Sequence, residues 1–220
     1  MSAGVVDGTY ADVIGRAAAG TTLRWSAGLS CRRVPAHPAA AGTRADQVKV
    51  TTLTGDLASL AVGGLAAALA DVFLAAFAGP PWNETPARAR QLPARMLAEV
   101  RQPGFVLALA LTRCGGLAGF GYGLPRGPAP DSSAYPLPSA GPEPFQLCEL
   151  AVRPSARGTG AGQALHDGIL AVSGPRPRWL VTHLAAGPAV RLYQSRGWQV
   201  GRVLPGDAGG SSRLLMTRRY

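Results

Sequence analysis

From Val48 onward the chain alternates between two hydrophobic rhythms, a period of two and a period near 3.6. Val48, Val50 and Leu53, with Thr51 and Thr52 among them, read as a β-strand that Gly55-Asp56 ends. Asp56 suits an N-cap for the Ala/Leu-rich segment 57–77, which reads as one long helix. Gly79-Pro80-Pro81-Trp82 stops it. Thr85-Pro86 starts a second helix to about Gln102, and Pro93 predicts a kink or break inside it. Phe105–Thr112 and Leu117–Leu124 read as strands joined by a Gly-containing hairpin turn. A strand (Phe145–Val152), a Gly-rich turn and a helix (Gly160–Ser173) come next. A strand (Trp179–Leu184), a helix (Ala189–Arg196) and two closing strands (Trp198–Val203, Leu214–Arg218) complete the chain. The order β-α-α-β-β-β-α-β-α-β-β predicts an α/β (α+β) fold, a mixed central sheet with helices on both faces.

Two segments stand outside this rhythm. Residues 1–46 are rich in Ala, Gly, Thr and Pro with no sustained period, so they read as a poorly ordered extension before one domain over 47–220. Residues 125–144 hold seven prolines and form a long irregular loop.

Composition narrows the function classes. The formal net charge of +10 could attract nucleic acid, an anionic membrane surface or phosphorylated ligands. The arginines are scattered, with no basic run and no interleaved aromatics, and Lys49 is the only lysine, so nucleic-acid binding is not expected. Residues 1–20 carry no secretory pattern. The most apolar stretch, Leu57 to Phe77, contains Asp71 and two adjacent glycines, which argues against a membrane span. Cys31, Cys114 and Cys148 are widely spaced, so neither a disulfide framework nor a metal site is expected, and the cytoplasm is the expected compartment.

The chemistry gathers at Leu147–Leu165. An apolar strand runs into a turn in which Gly158, Gly160 and Gly162 leave the backbone open to a ligand. The turn opens a helix whose first N–H groups point outward, and the helix dipole favours an anion there. Arg157 adds positive charge at the lip. The arrangement suits a pyrophosphate. A P-loop would need a Lys-Ser or Lys-Thr pair, which is absent. The dinucleotide fingerprint fails too, because Gln163 or Leu165 stands at its last glycine and fewer than 60 residues follow.

Arg157-x-x-Gly160-x-Gly162, with Leu150-Ala-Val-x-Pro154 before it, resembles the GNAT (GCN5-related N-acetyltransferase) superfamily. Ala189-Val-Arg-Leu-Tyr193-x-x-x-Gly197-Trp198 resembles that family's later segment, with Trp in place of Phe, and Leu214–Arg218 its closing strand. The resemblance implies a mostly antiparallel sheet and an acetyl-CoA-dependent N-acetyltransferase, an acyltransferase for groups other than aminoacyl. A primary amine of a small molecule or peptide would attack the thioester directly.

The resemblance also implies site roles. Backbone N–H groups of Arg157, Gly158, Thr159, Gly160, Ala161 and Gly162 would hold the pyrophosphate, and Leu150, Ala151 and Val152 would pair with the pantetheine arm. The N–H of Leu150 or Val152 would polarise the thioester carbonyl. Tyr193 would contact the cofactor and protonate the departing thiolate. Glu149, in an otherwise apolar strand, is the candidate general base, directly or through water, unless it faces the surface. His183 is a second candidate proton acceptor or a structural histidine. Trp82, Asn83 and Glu84 fall where the family builds its acceptor pocket, although Trp82 could equally anchor the core. Ala186 stands where the family often has an Asn that contacts the cofactor. That departure keeps a second reading open, a non-catalytic acyl-CoA sensor. The resemblance also leaves a homodimer open and implies no metal.

Overall fold

The computed structural model describes residues 48–127, 129, 141–206 and 211–219. The extension expected over 1–46 and most of the proline-rich loop lie outside these residues. The described chain folds as β1 (Lys49–Thr54), α1 (Gly55–Gly64), α2 (Ala66–Phe77), α3 (Pro86–Glu99), β2 (Val106–Leu111), β3 (Leu117–Pro125) and β4 (Phe145–Val152). A 3₁₀ turn (Pro154–Ala156), α4 (Ala161–Val172), β5 (Arg178–His183), α5 (Gly187–Gln194), β6 (Gln199–Leu204) and β7 (Arg213–Arg218) follow. The expected element order holds apart from one additional helix between β1 and β2.

Three local expectations do not. The segment 57–77 is two helices bent by 76°, because Gly63-Gly64 has no side chain to stiffen the backbone where Leu65 leaves helical geometry. No single helix among the described residues is long and apolar enough to cross a membrane. Asp56 is not the N-cap: Thr54 occupies that position and Asp56 lies in the first turn, where its charge still meets the helix's positive end. Pro93 does not break α3. Ala89, Leu92, Pro93 and Met96 are buried together, and this packing outweighs the one backbone bond that proline removes.

The strands form one mixed sheet in the order β1-β2-β3-β4-β5-β7-β6. Every pair is antiparallel except β4–β5. Helices α1–α3 cover one face over a core that includes Leu69, Phe73, Met96, Phe105 and Phe120. The helices α4 and α5 cover the other, over Leu165, Ile169, Tyr193, Trp198 and Met216. Strand β3 shows how the sequence sorts the two faces. Phe120, Tyr122 and Leu124 point into the α1–α3 layer, while Gly119, Gly121 and Gly123 alternate with them beneath α4. A Cβ at Gly121 would meet Ile169 Cδ1 at 2.9 Å, so the glycine row lets α4 lie close to the sheet. Gly123 is tighter still: its Cβ would stand 2.5 Å from the Gln146 carbonyl oxygen and against the Phe145 ring. Gly123→Ala is therefore expected to cost about 1–3 kcal/mol of stability, visible as a lowered Tm in thermal unfolding.

Candidate functional site

Strands β4 and β5 are parallel but share only two residue pairs, Phe145 with Arg178 and Gln146 with Trp179. Beyond Gln146 they diverge. Burial along β5 falls off toward His183, the end that has left β4. The main-chain groups of Leu147–Val152 that face β5 therefore have no strand opposite them, and an extended ligand can take its place there.

A β-bulge refines this edge. Pairing with β3 jumps from Tyr122–Glu149 to Gly123–Leu147, so Cys148 is an extra residue on β4. The alternation of faces resets at that point. Cys148 and Glu149 both turn toward the α1–α3 layer, whereas Leu147, Leu150 and Val152 pack toward α4. The bulge is thus what brings a carboxylate onto the α1–α3 side of an apolar strand.

Glu149 does not face the surface. Its side chain is 19% exposed, and Oε1 accepts from Arg95 Nη2 at 2.5 Å. Burial pushes its carboxyl up to about 7, against the opposing pull of Arg95. Arg95 also lies against the buried Tyr122. One helical turn further on α3, Glu99 accepts from Arg126 at 2.6 Å, and at the other end Glu84 pairs with Arg88 at 3.4 Å. Burial, with Glu99 nearby, drives the Cys148 thiol well above its usual range, so it stands here as a neutral group. Sequence reasoning missed Arg95, Glu99 and Tyr122. A signal existed: Arg88, Arg95 and Glu99 recur at helical spacing, which marks one charged stripe on α3, with Glu84 just before its start.

The turn after β4 is anchored at both ends. Arg153 donates from its backbone N to Ala118 O at 2.8 Å and from Nε to Leu117 O at 3.0 Å. Thr159 Oγ1 donates to Ala156 O at 2.8 Å. Gly158 and Gly160 have φ of 79° and 87°, in the left-handed region that glycine tolerates. Gly160 is the N-cap of α4 and has no side chain to satisfy the first-turn N–H groups. The turn residues 157–160 are exposed, as is Gln163 in the first turn of α4, and Gly162 is half-buried, so the N–H groups of this stretch suit an anion.

Arg157 behaves differently from the expectation of a charge at the lip. Its Nη2 donates to Ala76 O at 3.0 Å, at the C-terminus of α2. That carbonyl would ordinarily accept from the residue four positions on, which is Pro80 and has no N–H. The guanidinium substitutes for the missing donor and ties the glycine turn to the helix that leads into Trp82–Glu84. Arg157→Ala is expected to cost about 1–3 kcal/mol. Amide exchange over 76–84 should rise while β2 and β3 stay protected.

The remaining candidates divide. Tyr193, on α5, is 7% exposed, and burial, with Glu149 next in effect, raises its phenol above the usual value, so it stays protonated. Glu149 faces the α1–α3 layer and Tyr193 belongs to the α4–α5 layer, yet the carboxylate is near enough to act on the phenol. His183 is not poised as a proton acceptor. Its Nδ1 accepts from the Ala185 N–H at 3.2 Å, so a neutral ring carries its proton on the buried Nε2. Trp82 packs on Phe77, ring centroids 5.0 Å apart, and anchors the core, while Asn83 is exposed with φ 49°. Glu84 donates its backbone N–H to Phe77 O at 2.9 Å and shares the field of Arg88 with Glu149. Ala186 is buried as the N-cap of α5, without the side-chain cap an Asn would supply. Among the described residues no group of three or more His, Cys, Asp or Glu could hold a metal ion.

Comparison with known proteins adds the relatives of this arrangement. Residues 67–198 match the family model described as Acetyltransferase (GNAT) family. A solved structure of histone acetyltransferase HPA2 and related acetyltransferase from Corynebacterium glutamicum ATCC 13032 is 24% identical with a TM-score of 0.54, over 77% of this chain and 96% of that one. The ribosomal-protein-S18-alanine N-acetyltransferase from Escherichia coli is 17% identical with a TM-score of 0.51, over 77% and 93%. The PaiA N-acetyltransferase from Thermoplasma acidophilum, solved in complex with coenzyme A, is 15% identical with a TM-score of 0.51, over 79% and 99%. At these identities the likeness is one of fold. A search of curated proteins found no match.

Proposed function

Because the chain belongs to the GNAT acetyltransferase family, we propose that it transfers the acetyl group of acetyl-CoA to a primary amine of a small molecule or peptide by direct attack. The observation that carries this reading is the parting of β4 and β5 beside the uncapped start of α4, with the charge of Glu149 near enough to act on the phenol of Tyr193. The first-turn N–H groups of α4 and the N–H groups of Gly158–Gly162 suit a diphosphate, whereas the Arg157 N–H is already donated to Pro154 O at 3.2 Å. The free edge of Leu150–Val152 suits the amides of a pantetheine arm.

In the reaction, a neutral amine attacks the thioester carbon. The C–N bond forms as the C–S bond breaks. The N–H of Leu150 or Val152 stabilises the charge that develops on the carbonyl oxygen. Glu149, ionised, takes the proton that the new ammonium sheds, directly or through a water. Tyr193 gives its proton to the departing CoA thiolate. Proton handling is therefore split between two groups whose surroundings favour opposite roles: a carboxyl raised to about 7 and a phenol that stays protonated.

Calorimetry with acetyl-CoA and thiol release against a panel of amines test the proposal together. The expected result is saturable binding and amine-dependent release of free CoA. Binding without release from any amine would favour a non-catalytic sensor, and no heat at high acetyl-CoA concentration would end both readings.

A further inference from the structure

Trp198 stands where the resembled family has Phe, and the difference between the two is an N–H. That N–H is used. Trp198 Nε1 donates to His166 Nε2 at 2.8 Å, and both side chains are buried. Indole nitrogen only donates, so Nε2 of His166 must be bare and its proton must lie on Nδ1. His166 Nδ1 is 2.7 Å from Asp167 Oδ1. Asp167 in turn accepts from Arg196 twice, from Nε at 2.9 Å and from Nη2 at 3.1 Å. Arg196 and Trp198 belong to the turn that leaves α5, and their backbone N–H groups both donate to Tyr193 O, at 2.9 and 3.1 Å.

These bonds close a ring: Tyr193 carbonyl, Arg196, Asp167, His166, Trp198, and back to the Tyr193 carbonyl. The side chain of Tyr193 is held within it. Its ring centroid is 6.2 Å from that of His166 and 6.0 Å from that of Trp198, and those two are 6.1 Å apart. An apolar trio could fill the same volume, but it would not fix angles as directed bonds do, and a buried imidazole or indole left unpaired would be costly.

The two members from α4, His166 and Asp167, lie on the helix whose start suits the diphosphate. His166 is five residues past Ala161, about 7.5 Å along the axis. We propose that His166 is a positioning residue: with Trp198 and Asp167 it fixes the tyrosine of α5 against the helix that receives the donor, so that the phenol and the departing sulfur meet in register. The proposal rests on the reading of Tyr193 as the acid. A misplacement of about 1 Å at such a contact is enough to lower a rate severely.

The test uses the full chain labelled at tyrosine and histidine, with free CoA as the ligand. The signal of Tyr193 is assigned by its disappearance in Tyr193→Phe. Long-range proton–nitrogen spectra are expected to show His166 protonated at Nδ1 and His183 at Nε2. In Trp198→Phe, which keeps a ring and removes the donor, the Tyr193 ring signals should move and average, while those of Tyr122 stay. Asp167→Asn, at a half-exposed position, should give a smaller change of the same kind in a fold that is little disturbed. Calorimetry with CoA should give an affinity within about threefold of the wild type for both, because neither variant touches the anion turn. A His166 protonated at Nε2, or Tyr193 signals unchanged in both variants, overturns the proposal. If Tyr193→Phe left turnover unchanged, the acid role would fall while the ring signals still decided the positioning.

Discussion

Replacing Tyr193 with Phe should lower acetyl transfer by about 10²-fold or more, the usual worth of a positioned general acid, while acetyl-CoA binding survives. The substitution removes one hydroxyl and keeps the ring that lies 6.0 Å from Trp198 and 6.2 Å from His166. Burial and the nearby Glu149 both hold the phenol above its ordinary value, so the group carries a proton throughout the neutral range and can give it away. Thiol release measures the turnover and calorimetry the binding. Parallel loss of both would mean that the hydroxyl serves the fold or the cofactor site, and unchanged turnover would remove the acid from the mechanism.

Glu149→Gln should produce a loss of similar size, about 10²-fold at pH 8, and should also flatten the pH dependence. A base works ionised. With its carboxyl raised to about 7, the wild-type rate should climb through that pH and level off above it, whereas the Gln variant should show no such limb. Stability follows the opposite sense. A folded value above the ordinary 4.5 means that the native state favours the protonated acid, a contribution fully present below 4.5 and lost as pH rises through about 7. The difference in Tm between wild type and variant, measured at pH 4.5 and at pH 8, should shift in favour of the variant at the higher pH. An unchanged difference, together with a surviving acid limb in the rate, would place the titrating group elsewhere. Arg95 opposes the raised value, so Arg95→Met should move the limb to higher pH.

The mutual arrangement of these groups shows where sequence reading succeeds and where it stops. The strand Phe145–Val152 has the same bounds in sequence and in structure. The helix expected at Gly160–Ser173 is Ala161–Val172 between those two residues as caps. Each is set by neighbours: an apolar run closed by Pro and Gly, and a 3.6 period opened by a glycine turn. The misreadings also have a local form. Gly63-Gly64 and Pro93 carry the same kind of warning about a helix, and only the first was realised. Burial of Pro93 beside Leu92 and Met96 made the difference, and no local rule contains that packing.

The site itself divides along the same line. Sequence alone determined the glycine turn between β4 and α4, because the glycines, the strand before it and the helix after it are contiguous, and a helix start exposes its N–H groups whatever surrounds it. It also marked Glu149 and Tyr193 as candidates, by type and by resemblance. Tertiary structure alone decided what those residues face. Glu149 meets Arg95 across 54 residues, Arg157 meets Ala76 across 81, and Trp198 meets His166 across 32. None of these partners shares a helical turn or a strand with the other. Each contact follows from the bulge at Cys148, the approach of Arg157 to the end of α2 and the packing of α5 on α4, which are properties of the folded chain rather than of any stretch of it.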